Sequence, residues 1–328
     1  MGIKDINNFI KTHRVKTGHE KEIEVSHDIS VLKGMRLAID ANILLFRYKV
    51  MAVTTELSAY ESQEYEFEDI ENLYDDKFFV KFSVYDKKLK NLMTSFLNTL
   101  LRLSVTPYFI FDGCSFSDAK KEFAHKRRND QRLSIQKKLA SAIENKDRVG
   151  TLKYLKQNSN ISINDRDLVY DILSDYSVFS RDEEAEQLCV KYLLGDKVDY
   201  IYTCDTDVYV YPIKHVINSI SLTKREVTIF NIEEAKKCID LHGDQFTHFC
   251  IMLGCDYNER VFRIGPQKSY KFIRDHGSLD EVMRNNSSIE WKSLNFEVCK
   301  KLFSLETNKS FECKPIEEED DLDVIIGC

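Results

Sequence analysis

Seven acidic residues stand where carboxylates could do chemistry. Leu37-Ala38-Ile39 ends in Asp40. Pro107-Tyr108-Phe109-Ile110-Phe111 ends in Asp112. Asp199-Tyr200-Ile201-Tyr202-Thr203-Cys204 ends in Asp205-Thr206-Asp207. Glu184 and Glu186 open the run Glu184-Ala185-Glu186-Gln187-Leu188-Cys189-Val190, and Asp256 follows an apolar helical run in Leu253-Gly254-Cys255-Asp256-Tyr257. Seven like charges cannot share a pocket unaided: one takes a proton, or cations neutralise them. Hard oxygen ligands select Mg²⁺ or Mn²⁺. Two such ions about 3.5–4 Å apart activate a water and stabilise the leaving oxygen in phosphodiester hydrolysis.

Each carboxylate alone has a plainer use. An aspartate ending a strand is usually a turn or cap residue, a glutamate pair opening a helix complements its dipole, and Asp256 alone is a loop residue. Four separate segments, each ending an apolar element in a carboxylate, favour a metal-dependent phosphodiesterase.

The three apolar runs read as buried strands, and helical patterns lie between them, including 87–103 and 185–194. Strands alternating with helices predict an α/β fold with a mainly parallel central sheet flanked by helices. Each strand then delivers an aspartate at its carboxyl end, the edge where open α/β sheets bind ligands. Residues i and i+2 of a helix point roughly 200° apart, so Glu184 and Glu186 share one site only by straddling a helix entrance. Asp182 is the expected N-cap there. The stretch 50–77 has poor helical periodicity and reads as an inserted surface loop. Residues 116–175 read as a polar, helical excursion without a strand, and 305–328 as an acidic disordered tail.

The chain has 328 residues, 43% hydrophobic and 31% charged, with a net charge of −7. That suits one large α/β domain or two small ones. No apolar run reaches membrane-spanning length. No signal peptide is expected at the start, and Met1-Gly2-Ile3-Lys4-Asp5-Ile6 lacks the Ser or Thr of a myristoylation signal. The nine cysteines include no CxxC pair, so zinc and disulfides are not expected. Cys114, Cys189, Cys204, Cys250 and Cys255 read as small, mostly buried residues. The acidity is local. Residues 61–76 carry eight acids and no Lys or Arg, and residues 317–323 of the tail carry six more; without these fourteen the net charge becomes +7. Residues 120–138 hold eight Lys/Arg against two acids. Such a basic segment is compatible with phosphate binding or with a solvated helix face.

With these residues in view, the chain resembles the flap-endonuclease/XPG family of structure-specific 5′-nucleases, across roughly residues 1–50 and 80–285. The fragments are Met1-Gly2-Ile3, Ala38-Ile39-Asp40-Ala41, Phe111-Asp112-Gly113, Glu184-Ala185-Glu186, Asp205-Thr206-Asp207, Leu253-Gly254-Cys255-Asp256-Tyr257 and Ile264-Gly265-Pro266. Each is weak alone; their order and separations are specific. The resemblance implies two Mg²⁺ ions per chain, with Mn²⁺ as a substitute, and hydrolysis leaving a 5′-phosphate. It implies that Asp40, Asp112, Glu184 and Glu186 bind one ion and Asp205, Asp207 and Asp256 the second. It divides the chain into an N-terminal nuclease region (1–115), a helical arch or cap (116–175), an internal nuclease region with a helix–turn–helix DNA-binding hairpin (176–290), and the acidic tail.

In the family the arch places a Lys and an Arg against the scissile phosphate. The matching catalytic residues here are Lys120, with Lys121 as the alternative, and Arg127, with Lys126 at the strictly matching offset. Such cations stabilise charge developing on phosphate. Phe46 stands where the family carries a stacking tyrosine, six residues after Asp40; a base can stack on its ring, or the ring can lie in the core. Residues 254–276 resemble the family's hairpin, which grips duplex DNA through amides at a helix N-terminus. The implied DNA contacts are Gly2, Phe46, Lys121, Lys126, Arg263, Gly265, Lys268 and Lys271. Arg263 departs from the family's Gly-Ile-Gly-Pro, where a monovalent ion sits.

The expected function is a Mg-dependent endonuclease/5′-exonuclease, a hydrolase of DNA replication, repair or recombination that cuts branched, flapped or gapped DNA. Alternatives are a PIN-like ribonuclease and a non-catalytic DNA-binding scaffold. A monomer is expected, in the nucleus or, if viral, at a host-nuclear or cytoplasmic replication site, without membrane association. No glutamine-led clamp-binding peptide supports sliding-clamp binding.

Overall fold

Leu37 and Ile39 pack on one side of a sheet and Ala38 on the other, and all three are fully buried. Successive side chains of a strand point to opposite faces, so a strand apolar at every position is covered twice. The computed structural model, described over residues 2–62, 64–112, 122–180 and 183–305, builds a sheet of this kind. Its strands are β1 (Glu24–Asp28), β2 (Arg36–Asp40), β3 (Thr106–Phe111), β4 (Ser177–Phe179), β5 (Tyr200–Tyr202), β6 (His215–Ser221) and β7 (Glu226–Asn231). They lie in the order β1-β7-β6-β5-β2-β3-β4. From β6 to β4 every pairing is parallel. β7 pairs antiparallel with both β6 and β1.

The described helices are α1 (Ile6–Thr17), α2 (Ala41–Ala59), α3 (Phe67–Glu71), α4 (Phe82–Arg102), α5 (Glu122–Glu144), α6 (Arg148–Gln157), α7 (Ile163–Leu173), α8 (Ala185–Leu194), α9 (Ile232–Cys238), α10 (Asp244–Leu253), α11 (Pro266–His276), α12 (Leu279–Asn285) and α13 (Phe296–Phe303). α2 to α7 contribute to the core on the Leu37 side, and α1 with α8 to α13 to the core on the Ala38 side. In α4 the buried residues are Tyr85, Leu89, Met93, Phe96, Leu97 and Leu100, an apolar stripe of helical period. Across this layer Lys49 of α2 reaches Asp165 of α7 at 2.6 Å. The Tyr85 hydroxyl donates to the other Asp165 oxygen at 2.8 Å.

The mainly parallel sheet and the helices expected at 87–103 and 185–194 are present as β2, β3, β5, α4 and α8. The third strand is shorter than the apolar run 199–204, because Thr203 and Cys204 already belong to the turn that carries Asp205. Cys204 is exposed on that turn, contrary to expectation, whereas Cys189, Cys250 and Cys255 are buried. Residues 50–77 are not simply a loop. α2 continues to Ala59 because Ala52, Val53 and Leu57 remain in the core, and α3 anchors the acidic stretch through Ile70. The hairpin is likewise larger than 254–276, since its first helix is α10 and the connection runs from 254 to 265. Over its described part, 122–175, the excursion is helical. Residues 113–121, with Lys120, Lys121 and Cys114, lie outside the described residues, as do Met1, Asp182 and the tail from 306. No helix among the described residues is long and apolar enough to cross a membrane.

Candidate functional site

Asp40 is both the last residue of β2 and the N-cap of α2. Its Oδ1 accepts the amide of Ile43 at 3.1 Å and its Oδ2 the hydroxyl of Thr203 at 3.1 Å. Capping fixes the carboxylate at the helix entrance. Asp112 follows β3 and accepts the Ala185 amide at 2.8 Å, which ties the end of β3 to the start of α8. Glu184, in place of the expected Asp182, occupies the N-cap position of α8, and Glu186 lies in its first turn. The pair therefore straddles the helix entrance, as i and i+2 carboxylates must to share one site. Beyond β5, Asp205 caps a short 3-10 turn by accepting the Asp207 amide at 3.0 Å. Asp256 follows the end of α10.

These elements converge. Asp40, Glu184, Glu186, Asp207 and Asp256 are buried, Asp205 is half-buried and Asp112 is exposed. Burial, joined by the charges of Asp112 and Asp205, pushes Asp40 up to about 7 despite its hydrogen bonds. Burial also lifts Asp207 well above the usual carboxylate range, with contributions from Asp205, Asp256 and Glu184. The Tyr257 hydroxyl is raised by burial and then by Glu184, Glu186 and Asp207. Mutual effects of this kind arise only when like charges lie close in a poorly solvated place. The Asp40–Thr203, Asp112–Ala185 and Asp205–Asp207 hydrogen bonds set these carboxylates at the adjoining carboxyl ends of β2, β3 and β5 and at the entrance of α8.

Asp207 Oδ1 is buried without a hydrogen-bond partner. A buried acceptor of this kind, in an all-oxygen donor set, fits a hard divalent cation. Among the described residues no group of three or more Asp, Glu, His or Cys side chains is drawn together closely enough to hold a metal ion.

Asp256 has a different partner. Arg127 Nη2 lies 3.2 Å from its Oδ1, and Arg128 Nη2 lies 2.5 Å from its Oδ2. The root of α5 is thereby tied to the carboxylate cluster. Lys126, at the neighbouring position, is exposed. Arg128 was not singled out in the sequence; its only signal is adjacency in the run Lys126-Arg127-Arg128.

The N-terminal residues also pack on the cluster, which the sequence alone did not indicate for Lys4. Gly2 has φ +81°, and a Cβ there would lie 2.1 Å from Asp205 Oδ1 and 2.8 Å from the Asp207 amide nitrogen. Only glycine fits that approach. The Lys4 amide donates to the Gly254 carbonyl at 2.9 Å. The Lys4 side chain is lowered from its ordinary value by burial and then by Arg127 and Arg260.

Phe46 projects from α2 and is 39% exposed, so it lies outside the core. At the opposite end of the chain, Gly265 is the N-cap of α11 with Pro266 at its first position. Lys268 and Lys271 are exposed on α11. Arg263 adopts φ +61°, the left-handed region that glycine favours.

A mainly parallel α/β sheet whose strand and helix ends carry carboxylates is an architecture suited to metal-dependent phosphodiester chemistry. The family model for the XPG N-terminal domain matches residues 1–134, and that for the XPG I-region matches residues 178–256. Flap endonuclease 1 of Babesia bovis is 27% identical over 190 residues, 57% of this chain and 28% of that protein's length. Flap endonuclease 1 of Lodderomyces elongisporus is 25% identical over 291 residues, 87% of this chain and 68% of the relative. The catalytic core of Rad2, solved in complex with a DNA substrate, shares the fold with a TM-score of 0.56 at 18% identity, over 92% of this chain and 79% of that one. The chain belongs to the flap endonuclease/XPG family of metal-dependent, structure-specific nucleases.

Proposed function

We infer that this protein is a structure-specific 5′-nuclease that hydrolyses DNA phosphodiester bonds at 5′ flaps, gaps or 5′ ends, using two Mg²⁺ ions. The observation that carries the reading is the cluster of seven carboxylates from separate strand and helix ends, with Asp207 Oδ1 buried and unsatisfied. Asp40, Asp112, Glu184 and Glu186 are the proposed holders of one ion, and Asp205, Asp207 and Asp256 of the other. Bound there, Mg²⁺ would supply an activated water and stabilise the leaving oxygen.

The chain's own residues do the rest. The caps on Asp40 and Asp205 hold both carboxylates before substrate arrives, which is the preorganisation electrostatic catalysis depends on. Arg127, with Lys120 from the neighbouring segment, neutralises charge on the scissile phosphate. Phe46 offers a face for a base at the end of α2 that carries Asp40. Lys121 and Lys126 steer the 5′ strand, Gly2 lies where a backbone can approach closely, and Gly265, Lys268 and Lys271 hold a duplex phosphate at the start of α11. The protein is proposed to act as a monomer, in the nucleus.

The test is cleavage of a labelled 5′-flap DNA, a gapped duplex and an RNA of the flap sequence, with Mg²⁺ and with EDTA. Metal-dependent cutting of the branched DNA is expected. Cutting confined to RNA would place the protein among ribonucleases, and no cutting at all would make it a binding scaffold.

A further inference from the structure

The three residues that follow Asp256 pair in reverse order with residues 293–295. The Asn295 side-chain amide donates to the Tyr257 carbonyl at 3.2 Å, and the Asn258 side-chain amide to the Leu294 carbonyl at 2.9 Å. The Glu259 main-chain N–H donates to the Ser293 carbonyl at 2.9 Å. Main chains make such antiparallel ladders in sheets; here two of the three rungs are side-chain amides. Asn258 is fully buried. Its Nδ2 also donates to the Ile251 carbonyl in the last turn of α10 at 2.9 Å, and its Oδ1 accepts the Cys255 amide at 2.8 Å. Both hydrogens and the oxygen of this side chain are therefore in use. Asp256 sits inside the clasp, between Cys255 and Tyr257.

The opposing segment is itself fixed. Asn295 has φ +44° and stands at the entrance of α13, where its carbonyl accepts the Cys299 amide at 3.1 Å. Leu294, Phe296, Cys299 and Phe303 are buried in the same core as α8 and α10. At the far end of α13, the Leu302 carbonyl accepts Gln187 Nε2 at 3.3 Å, beside Glu186 in α8. The Phe303 ring meets the Tyr257 ring edge-on, with centroids 5.8 Å apart. Residues 293–303 thus reach both the turn that carries Asp256 and the helix that carries Glu186. They lie beyond residues 178–256, which the XPG I-region model matches.

We propose that Asn258 and Asn295 are positioning residues for Asp256: their clasp holds the turn so that its carboxylate keeps the place from which it binds a metal ion. Two arginines grip that carboxylate, one on each oxygen. A main chain anchored on its other side does not follow them, and the carboxylate stays where a cation can take it. The proposal rests on the reading of Asp256 as a metal ligand. Neither asparagine touches metal or DNA; each acts through the main chain on either side of Asp256.

The experiment measures Mn²⁺ binding to the DNA-free protein through the free-ion signal in electron paramagnetic resonance, beside the melting temperature. Wild type is compared with Asn295→Gly, Asn258→Ala, Asp256→Asn and Asn286→Ala. Glycine suits the left-handed backbone at 295, and Asn295 makes no side-chain cap to α13, so Asn295→Gly removes the bond to Tyr257 and little else. Asn286 donates to the Val282 carbonyl at 2.9 Å in α12 and is the control for losing an amide bond away from the turn. Asn295→Gly should weaken Mn²⁺ binding about tenfold, the scale for removing a group that orients a metal ligand, and keep its melting temperature. Asn258→Ala should weaken it at least as much, and Asn286→Ala should leave it unchanged. In flap cleavage by Asn295→Gly, the Mg²⁺ concentration for half-maximal rate should rise by the same factor, with the rate recovered at saturating Mg²⁺. Wild-type Mn²⁺ affinity in Asn295→Gly, or an equal loss in Asn286→Ala, would overturn the proposal; if Asn258→Ala does not fold, Asn295→Gly decides alone. If Asp256→Asn weakens Mn²⁺ binding and Asn295→Gly does not, this proposal alone fails. An Asp256→Asn variant that binds Mn²⁺ like wild type removes the metal reading of Asp256 and this one together.

Discussion

Arg127 reaches Asp256 at 3.2 Å, joining the first helix of the polar excursion to the carboxylate cluster at the edge of the sheet. Arg128 takes the second oxygen of the same carboxylate. A carboxylate and a phosphate offer guanidinium groups similar planar pairs of oxygens. The contact thus shows that both arginines can be delivered to the place where the scissile phosphate is proposed to lie. It also sets them in competition with a cation for Asp256. In the DNA-free protein, the Arg127→Ala/Arg128→Ala double variant is expected to bind Mn²⁺ more tightly than wild type, read by the free-ion signal in electron paramagnetic resonance. Unchanged Mn²⁺ affinity would mean that the arginines do not restrain Asp256. With flap DNA, Arg127→Ala should slow single-turnover cleavage by about a hundredfold and alter affinity only a few-fold. A change in affinity alone would reduce its role to holding phosphate.

The Lys49–Asp165 pair concerns stability. Both residues are buried, and Asp165 also receives the Tyr85 hydroxyl. Removing one partner strands the other charge away from water, at a cost of about 3–5 kcal/mol. Lys49→Met should therefore lower the urea midpoint strongly, and the pair Lys49→Met/Asp165→Leu should recover part of it. A single variant as stable as wild type would show that the pair is solvated in solution.

Gly2 tests the packing of the N-terminal residues on the metal-proposed turn. Gly2→Ala places a methyl 2.1 Å from Asp205 Oδ1, so the turn must move. Displacing reacting groups by about an ångström costs up to about a hundredfold in rate. The variant should lose cleavage on that scale and retain its melting temperature. Full activity in Gly2→Ala would show that the N-terminal residues leave the turn when DNA binds.

The acidic stretch calls for charge neutralisation, not deletion, because 61–76 contains core residues Ile70 and Leu73. Glu64, Glu71 and Asp76 are exposed. Replacing them with Gln, Gln and Asn should raise DNA affinity at low salt. The gain should shrink as the screening length falls to about 8 Å near physiological ionic strength. A gain independent of salt would trace to conformation.

Where the chain is apolar at every position, the sequence was easy to read. β2 and β3 are covered on both faces, so Leu37-Ala38-Ile39 and Tyr108-Phe109-Ile110-Phe111 leave no other reading, and the aspartates at their ends follow. β1 was hidden because it is mostly exposed and polar, and β4 because it has three residues. β6 and β7 mix buried and half-buried positions, which blurs their alternation. The far half of α2 is hard to see in the sequence because its buried face includes the charged Lys49 while the apolar Val50 and Met51 lie off it. In the site, the carboxylates were legible from their positions after apolar runs. Gly2, Lys4 and Arg128 act through contacts with residues far along the chain, and no local pattern announces such contacts.

The most direct measurement is single-turnover cleavage of a 5′-flap DNA by Asp207→Asn at saturating Mg²⁺, beside its affinity for the same DNA. Asp207 is buried, carries the unsatisfied oxygen and feels the charges of Asp205, Asp256 and Glu184. Asparagine keeps the shape and removes the anionic ligand. The rate should fall by at least about a hundredfold, with affinity within a few-fold of wild type. Cleavage at the wild-type rate would contradict the claim that this cluster is the catalytic metal site.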